Sequence, residues 1–152
     1  MKKAIGLSIL SACFIVGAVL PAHPGTARAK CIGKDKVNIR SGPSLRSGII
    51  SHAPLGYPIE IEKEKGDWIF FKDWENKTGW VYKNLVSDLE TAVILVNANV
   101  RSAAGKRHKV IAKARRGDIY KMIAREGNWV RLGYFFGDEP FGWIRSDLVF
   151  GD

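Results

Sequence analysis

The sequence predicts an all-β protein: two small antiparallel barrels in tandem behind a cleaved export segment. The first observation behind this is internal repetition. Val37 to Ser44 reads Val-Asn-Ile-Arg-Ser-Gly-Pro-Ser, and Ala98 to Gly105 reads Ala-Asn-Val-Arg-Ser-Ala-Ala-Gly. The same offset pairs Ile50 with Ile111, Gly56 with Gly117, Gly66 with Gly127 and Trp68 with Trp129, which marks a duplication. The second is periodicity: short apolar alternations are separated by Gly, Pro and Asn turn signals every eight to twelve residues or so, and no stretch holds a helical period. The third is the amino-terminal stretch, whose basic, apolar and small-residue order is that of a signal peptide.

In that stretch Lys2 and Lys3 precede an apolar run from Ala4 to Leu20, and Ala27-Arg28-Ala29 sets small residues where a signal peptidase reads. Residues 1–29 are therefore expected to be removed, leaving a mature chain from Lys30 with no stable membrane insertion. Gly6 and Gly17 interrupt the run and Pro21 and Pro24 follow it, which disfavours a spanning helix. A second reading stays open: Leu10-Ser11-Ala12-Cys13 resembles a lipobox, in which Cys13 would be lipidated, although the apolar run continues past it. After cleavage Cys31 is the one remaining cysteine, so it has no partner for an intramolecular disulfide. It aligns with Ala92 and reads as a small half-buried apolar residue, with an intermolecular bridge or a reactive thiol as the alternative.

The first repeat, residues 30–88, begins with a short strand at Cys31-Ile32, a polar turn at Gly33 to Lys36 and a strand at Val37 to Arg40 that Gly42-Pro43 stops. Ile49 to Ala53 follows as a brief strand, Pro54 to Pro58 as a turn, and Ile59 to Glu62 as a strand with one solvated face. Gly66-Asp67 turns the chain into Trp68 to Lys72, where Ile69 and Phe71 share a face opposite Trp68 and Phe70. After a charged loop, Gly79 to Tyr82 returns as a strand and closes in a turn at Asn84 to Val86.

The marks Asn-Ile-Arg-Ser-Gly-Pro at Asn38 to Pro43, Gly-Asp-Trp at Gly66 to Trp68 and Gly-Trp-Val at Gly79 to Val81 resemble those of the bacterial SH3-like domain of exported proteins. Lys72-Asp73-Trp74 resembles a proteobacterial subgroup of it. The resemblance implies an SH3-like barrel for each repeat and a targeting module that binds peptidoglycan peptides or wall polymers. The second repeat, residues 89–152, departs from the pattern at Ala103-Ala104, where the Gly-Pro pair would stand.

Charge separates the repeats. From Val37 to Asp88 basic and acidic residues balance, whereas Ala98 to Val149 holds an excess of Lys and Arg concentrated in Lys106-Arg107-His108-Lys109 and Lys113, Arg115 and Arg116. Such a cluster attracts anionic polymers or simply solvates a surface. The second copy also gains two residues in Gly133 to Phe141, a stretch with four aromatics. These suit stacking on a sugar or peptide, or packing against the other repeat or back onto the barrel. The candidate ligand-binding residues are Arg107, Lys109, Arg115, Arg116, Tyr134, Phe135 and Phe136. Trp68, Trp80, Trp129 and Trp143 are expected in or beside the cores.

His52 and His108 are isolated, and the sequence has neither a nucleophile elbow nor a phosphate-cradling glycine loop. No cofactor, metal or catalytic residue is expected. The function that follows is a non-catalytic periplasmic or secreted module whose partner is a cell-wall polymer or envelope protein and not nucleic acid. The alternative is an envelope adaptor that binds a protein by strand addition.

Overall fold

The structure, a computed structural model, describes residues 29–137 and 139–152. The export segment up to Arg28, with Cys13, lies outside the described residues, as does Asp138 of the inserted loop. Each repeat forms one seven-stranded antiparallel sheet. The first contains β1 (Lys30–Ile32), β2 (Val37–Arg40), β3 (Ile49–Ala53), β4 (Pro58–Lys65), β5 (Trp68–Lys72), β6 (Thr78–Tyr82) and β7 (Val86–Ser87), in the order β3-β2-β6-β5-β4-β1-β7. The second contains β8 (Thr91–Ile94), β9 (Ala98–Arg101), β10 (Val110–Ala114), β11 (Ile119–Glu126), β12 (Trp129–Gly133), β13 (Pro140–Arg145) and β14 (Val149–Phe150), in the equivalent order. Single 3-10 turns at Lys83–Leu85 and Ser146–Leu148 close the copies.

The sheet curls because β4 serves both halves. Pro58 and Ile59 pair with β1, Glu60 to Lys65 run along β5, and a bulge at Glu62 bends the strand within that second stretch. In β11 the bulge falls at Ile123. The strand is longer than its apolar alternation suggests, since Lys63 to Lys65 are exposed and continue the ladder to Trp68, Ile69 and Phe70. Alternation along the strands sends Ile39, Ile69, Phe71 and Val81 into the first core and Val100, Val130, Leu132 and Ile144 into the second. The glycine before each closing tryptophan has a packing reason: a Cβ on Gly79 would strike the Ile39 side chain, and one on Gly142 the Val100 side chain.

The register corrects the alignment of the sequence with itself at two places. Ile32 donates to the Tyr57 carbonyl at 2.9 Å and Ile94 to the Asp118 carbonyl at 2.9 Å, so these two isoleucines are equivalent and Cys31 matches Val93, not Ala92. One residue is missing between β8 and β9, where no motif marks the gap. Between β12 and β13, Gly133 pairs with Pro140 but Leu132 with Gly142, which leaves Phe141 as a bulge whose ring stacks on Tyr120 at 4.7 Å.

Cys31 and Val93 are fully buried yet belong to neither core. The Cys31 thiol faces the hydroxyl of Thr91 in the other repeat, and burial pushes its pKa up. A Cβ on Gly151 would meet the Thr91 carbonyl and lie 3.2 Å from the Pro58 Cβ. These contacts form a seam between the repeats. It suits barrels of about sixty residues, which bury little apolar surface by themselves.

Candidate functional site

The outer face of each barrel carries two tryptophans, an asparagine and an arginine at equivalent positions. On β5 and β6 the residues opposite the core are Trp68, Phe70, Trp80 and Tyr82, and on the neighbouring β2 they are Asn38 and Arg40. The ladders place Trp68 beside Tyr82, and Phe70 beside Trp80 beside Arg40. Trp68 and Tyr82 meet edge to face at 5.4 Å, and Phe70 and Trp80 are tilted together at 5.2 Å. The Lys63 ammonium lies over both of the latter, 4.7 Å from Phe70 and 5.6 Å from Trp80. Trp68 is half-buried on the outer side of the sheet, whereas Trp80, on the same side, is buried at 9% exposure with the Lys63 ammonium beside it.

Beside this face a groove of about 300 Å³ opens between Trp68, Tyr82 and Leu85 on one side and Asn38, Arg40 and Leu45 on the other. The second repeat has its counterpart, about 320 Å³, with Asn99, Arg101, Trp129 and Leu148 in the same places, Lys106 for Leu45 and Arg145 for Tyr82. Arg40 does more than line the groove: its guanidinium donates to the Ser47 carbonyl at 2.7 Å and clamps the β2–β3 loop. Arg101 does the same to the His108 carbonyl at 2.8 Å. Ser41 and Ser102 donate from their backbones to Gly48 and Lys109, each at 2.9 Å, so the loop closes alike with Gly-Pro or Ala-Ala at its tip.

The seven residues singled out from the sequence are dispersed. Arg107 and Lys109 precede β10, whereas Arg115 and Arg116 follow it, so one pair stands at each end of that strand. Arg116 reaches across to the first repeat, its guanidinium 4.5 Å from the Trp74 ring centroid and 3.5 Å from the Glu75 carboxylate. Phe135 makes the reciprocal contact, its ring so close to Gly56 that a Cβ there would collide with it. Trp74 and Phe135 each stand second after their strand, β5 and β12, and each rests on the turn of the other repeat. Tyr134 packs on Phe141 and Tyr120, at 5.3 and 6.1 Å, and Phe136 stands free at 87% exposure.

Asp73 is buried in the Lys72-Asp73-Trp74 motif. One carboxylate oxygen accepts from the backbones of Glu75 and Lys77 at 2.8 and 2.9 Å, and the other from the Tyr57 hydroxyl at 2.8 Å. The carboxylate thereby shapes the loop that presents Trp74. Burial, then the bond to Asp73, pushes the Tyr57 phenol up. The rows of outer-face residues were the missed feature. Their signal was present in the alternation of Trp68 with Phe70 and of Trp80 with Tyr82, but the tryptophans read equally well as core.

Comparison with known proteins finds two family models, each described as a bacterial SH3 domain, that match residues 33–88 and 96–150. A Bacillus subtilis protein that carries the name N-acetylmuramoyl-L-alanine amidase is 27% identical over 157 aligned positions, which cover 93% of this chain and 30% of the relative. The chain thus spans less than a third of that protein. Among solved structures, an NlpC/P60 family protein from Bacillus cereus aligns over 80% of this chain and 55% of its own at 12% identity, with a TM-score of 0.38. NlpC2 from Trichomonas vaginalis aligns over 80% and 48% at 14% identity, with a TM-score of 0.35.

Proposed function

The chain belongs to the bacterial SH3 domain family, which it carries as two tandem copies, and from that premise we propose that it is an exported, non-catalytic binding module that engages peptidoglycan or another anionic component of the cell envelope. The observation that carries this reading is the tryptophan-bearing outer face with its groove, kept at equivalent positions through the duplication. Flat rings held on a rigid sheet offer stacking area for sugars and peptide groups at little entropic cost. The relative's name supports the same surroundings, since it names an amidase of the bond between a muramoyl sugar and L-alanine, and the present chain corresponds to 30% of that protein. The cationic residues Arg107, Lys109 and Arg115 add long-range attraction to an anionic polymer. Phe136 and the exposed half of Tyr134 are the rings of the inserted loop left for direct contact. The test is co-sedimentation of the mature protein with purified peptidoglycan across a series of salt concentrations. Binding that weakens with salt is the expected result, and a protein that stays in the supernatant at low salt defeats the reading.

The adaptor reading has one observation of its own. β3 and β10 end their sheets and expose Ile49, Ile50, Val110 and Ile111. Bulges at Ile50 and Ile111 interrupt both edges, which weakens them as templates for an added strand.

A further inference from the structure

Across the outer face of the second repeat, Arg131 on β12, Trp143 on β13 and Arg101 on β9 form one directly paired row. The same row in the first repeat is Phe70, Trp80 and Arg40. The two copies therefore share the tryptophan and one arginine but differ in the third residue, a phenylalanine in one and an arginine in the other. The next strand changes in step: Lys63 faces Phe70, but Ala124 faces Arg131. In the first repeat a lysine thus covers the rings, whereas in the second the cover is gone and a guanidinium stands beside the indole, 6.0 Å from its centroid.

The charges around the row differ in how far they are already satisfied. Arg145 is paired with Asp147, and Glu126 lies across from Trp129, so the adjoining row holds its own counter-charges. Arg101 spends one N–H group on the His108 carbonyl. Arg131 has no hydrogen-bond or ion-pair partner among the described residues and meets Trp143 alone. Uncompensated positive charge is therefore concentrated on the two sides of one half-buried indole. A guanidinium fork matches a planar carboxylate with two parallel N–H donors, and a flat ring between two forks accepts the hydrocarbon that carries the acid.

We propose that Arg131 and Arg101 hold a free carboxylate of a peptidoglycan peptide stem, with the adjoining peptide group resting on Trp143. The first repeat, with Phe70 and Lys63 in these places, presents an ammonium over two rings instead of the second guanidinium fork. The assignment rests on the reading of the chain as a peptidoglycan-binding module and names the group that module recognises.

The tandem protein is titrated calorimetrically with a soluble muramyl peptide bearing free carboxylates and with the same peptide amidated at those groups, and sedimented in parallel with whole peptidoglycan. Arg131→Phe installs the residue the first repeat tolerates at this position, and Arg131→Gln keeps a polar side chain. Both variants are expected to bind the free acid about tenfold or more weakly, as for loss of a charge-assisted bond, with unchanged melting temperatures. Amidation of the ligand should cost the parent a similar factor and the variants little. Equal affinity of parent and variants, indifference to amidation, or preferential binding of poly(glycerol phosphate) would overturn the carboxylate site while leaving peptidoglycan binding intact. A parent that fails to sediment with whole peptidoglycan overturns both.

Discussion

The guanidinium of Arg116 lies over the indole of Trp74, 4.5 Å from its centroid, and joins a turn of the second repeat to the loop that follows β5 in the first. Phe135 returns the contact on Gly56. Two such exchanges around the seam at Cys31 and Thr91 couple barrels whose cores are separate. Thermal unfolding of residues 30–152 should therefore show one transition. Trp74→Ala and Arg116→Ala should each lower its midpoint, and the double variant should lower it by less than their sum, with a coupling of about 0.5–1 kcal/mol for an exposed cation–π pair. Additive losses would mean that the two side chains do not support each other.

Gly56 and its counterpart Gly117 allow the two contributions of a turn glycine to be separated. Both have positive φ, at 77° and 89°, but the Phe135 ring occupies the Cβ position only at Gly56. Gly117→Ala should cost about 1 kcal/mol for a left-handed alanine. Gly56→Ala should cost clearly more, because the interlocked ring must move. Chemical denaturation of the two variants compares them directly, and equal costs would show that Phe135 does not hold this place in solution.

The seam also sets the chemistry of the single cysteine among the described residues. Burial pushes the Cys31 thiol above its ordinary range, and its neighbours are the hydroxyls of Thr91 and Ser87. The thiolate is the reactive form, so the folded protein should resist a disulfide reagent at pH 8 and react fully after denaturation. Rapid labelling of the native protein would show that the repeats separate readily.

The fold was legible because its marks are local. Turn glycines, the paired Trp68 and Trp129, and strict alternation in Trp68 to Lys72 fix strands without knowledge of their partners. The relation between the barrels was legible only in part: packing of the Gly133 to Phe141 aromatics against the other repeat was one of their readings, and Phe135 on Gly56 bears it out, but the register at the seam was not. The residue missing before β9 shifts β8 by one position, and that single step sends Val93 rather than Ala92 to meet the seam; nothing in so apolar a run marks it. The candidate site suffered from the same locality. Arg107 and Arg115 look like neighbours in the chain, but a five-residue strand separates them by about 15 Å or more. Arg101 and Arg131 lie thirty positions apart in sequence and on either side of one strand in space.

Tyr57 makes the stability of the first repeat dependent on alkaline pH. Its phenol is held above the ordinary range by burial and by its bond to Asp73, and Tyr120 is pushed up to about 12, mainly by burial. A tyrosine whose folded pKa exceeds its unfolded value of about 10 gives up none of its stabilisation below that pH. Above it, the unfolded chain releases the proton first. Unfolding free energy should thus stay level from neutral pH to about 10, then fall by at most about 1.4 kcal/mol per pH unit for each such tyrosine. Tyr57→Phe should remove part of that slope and cost about 1–3 kcal/mol at pH 7, since buried Asp73 then loses a donor to one oxygen. Tyr120→Phe should flatten the slope at little cost at neutral pH, because its contact with Asp118 is a long 3.4 Å. Urea titrations at pH 7, 9, 10 and 11 measure both quantities. A Tyr57→Phe variant as stable as the parent at pH 7, with the alkaline slope unchanged, would show that the bond to Asp73 contributes nothing.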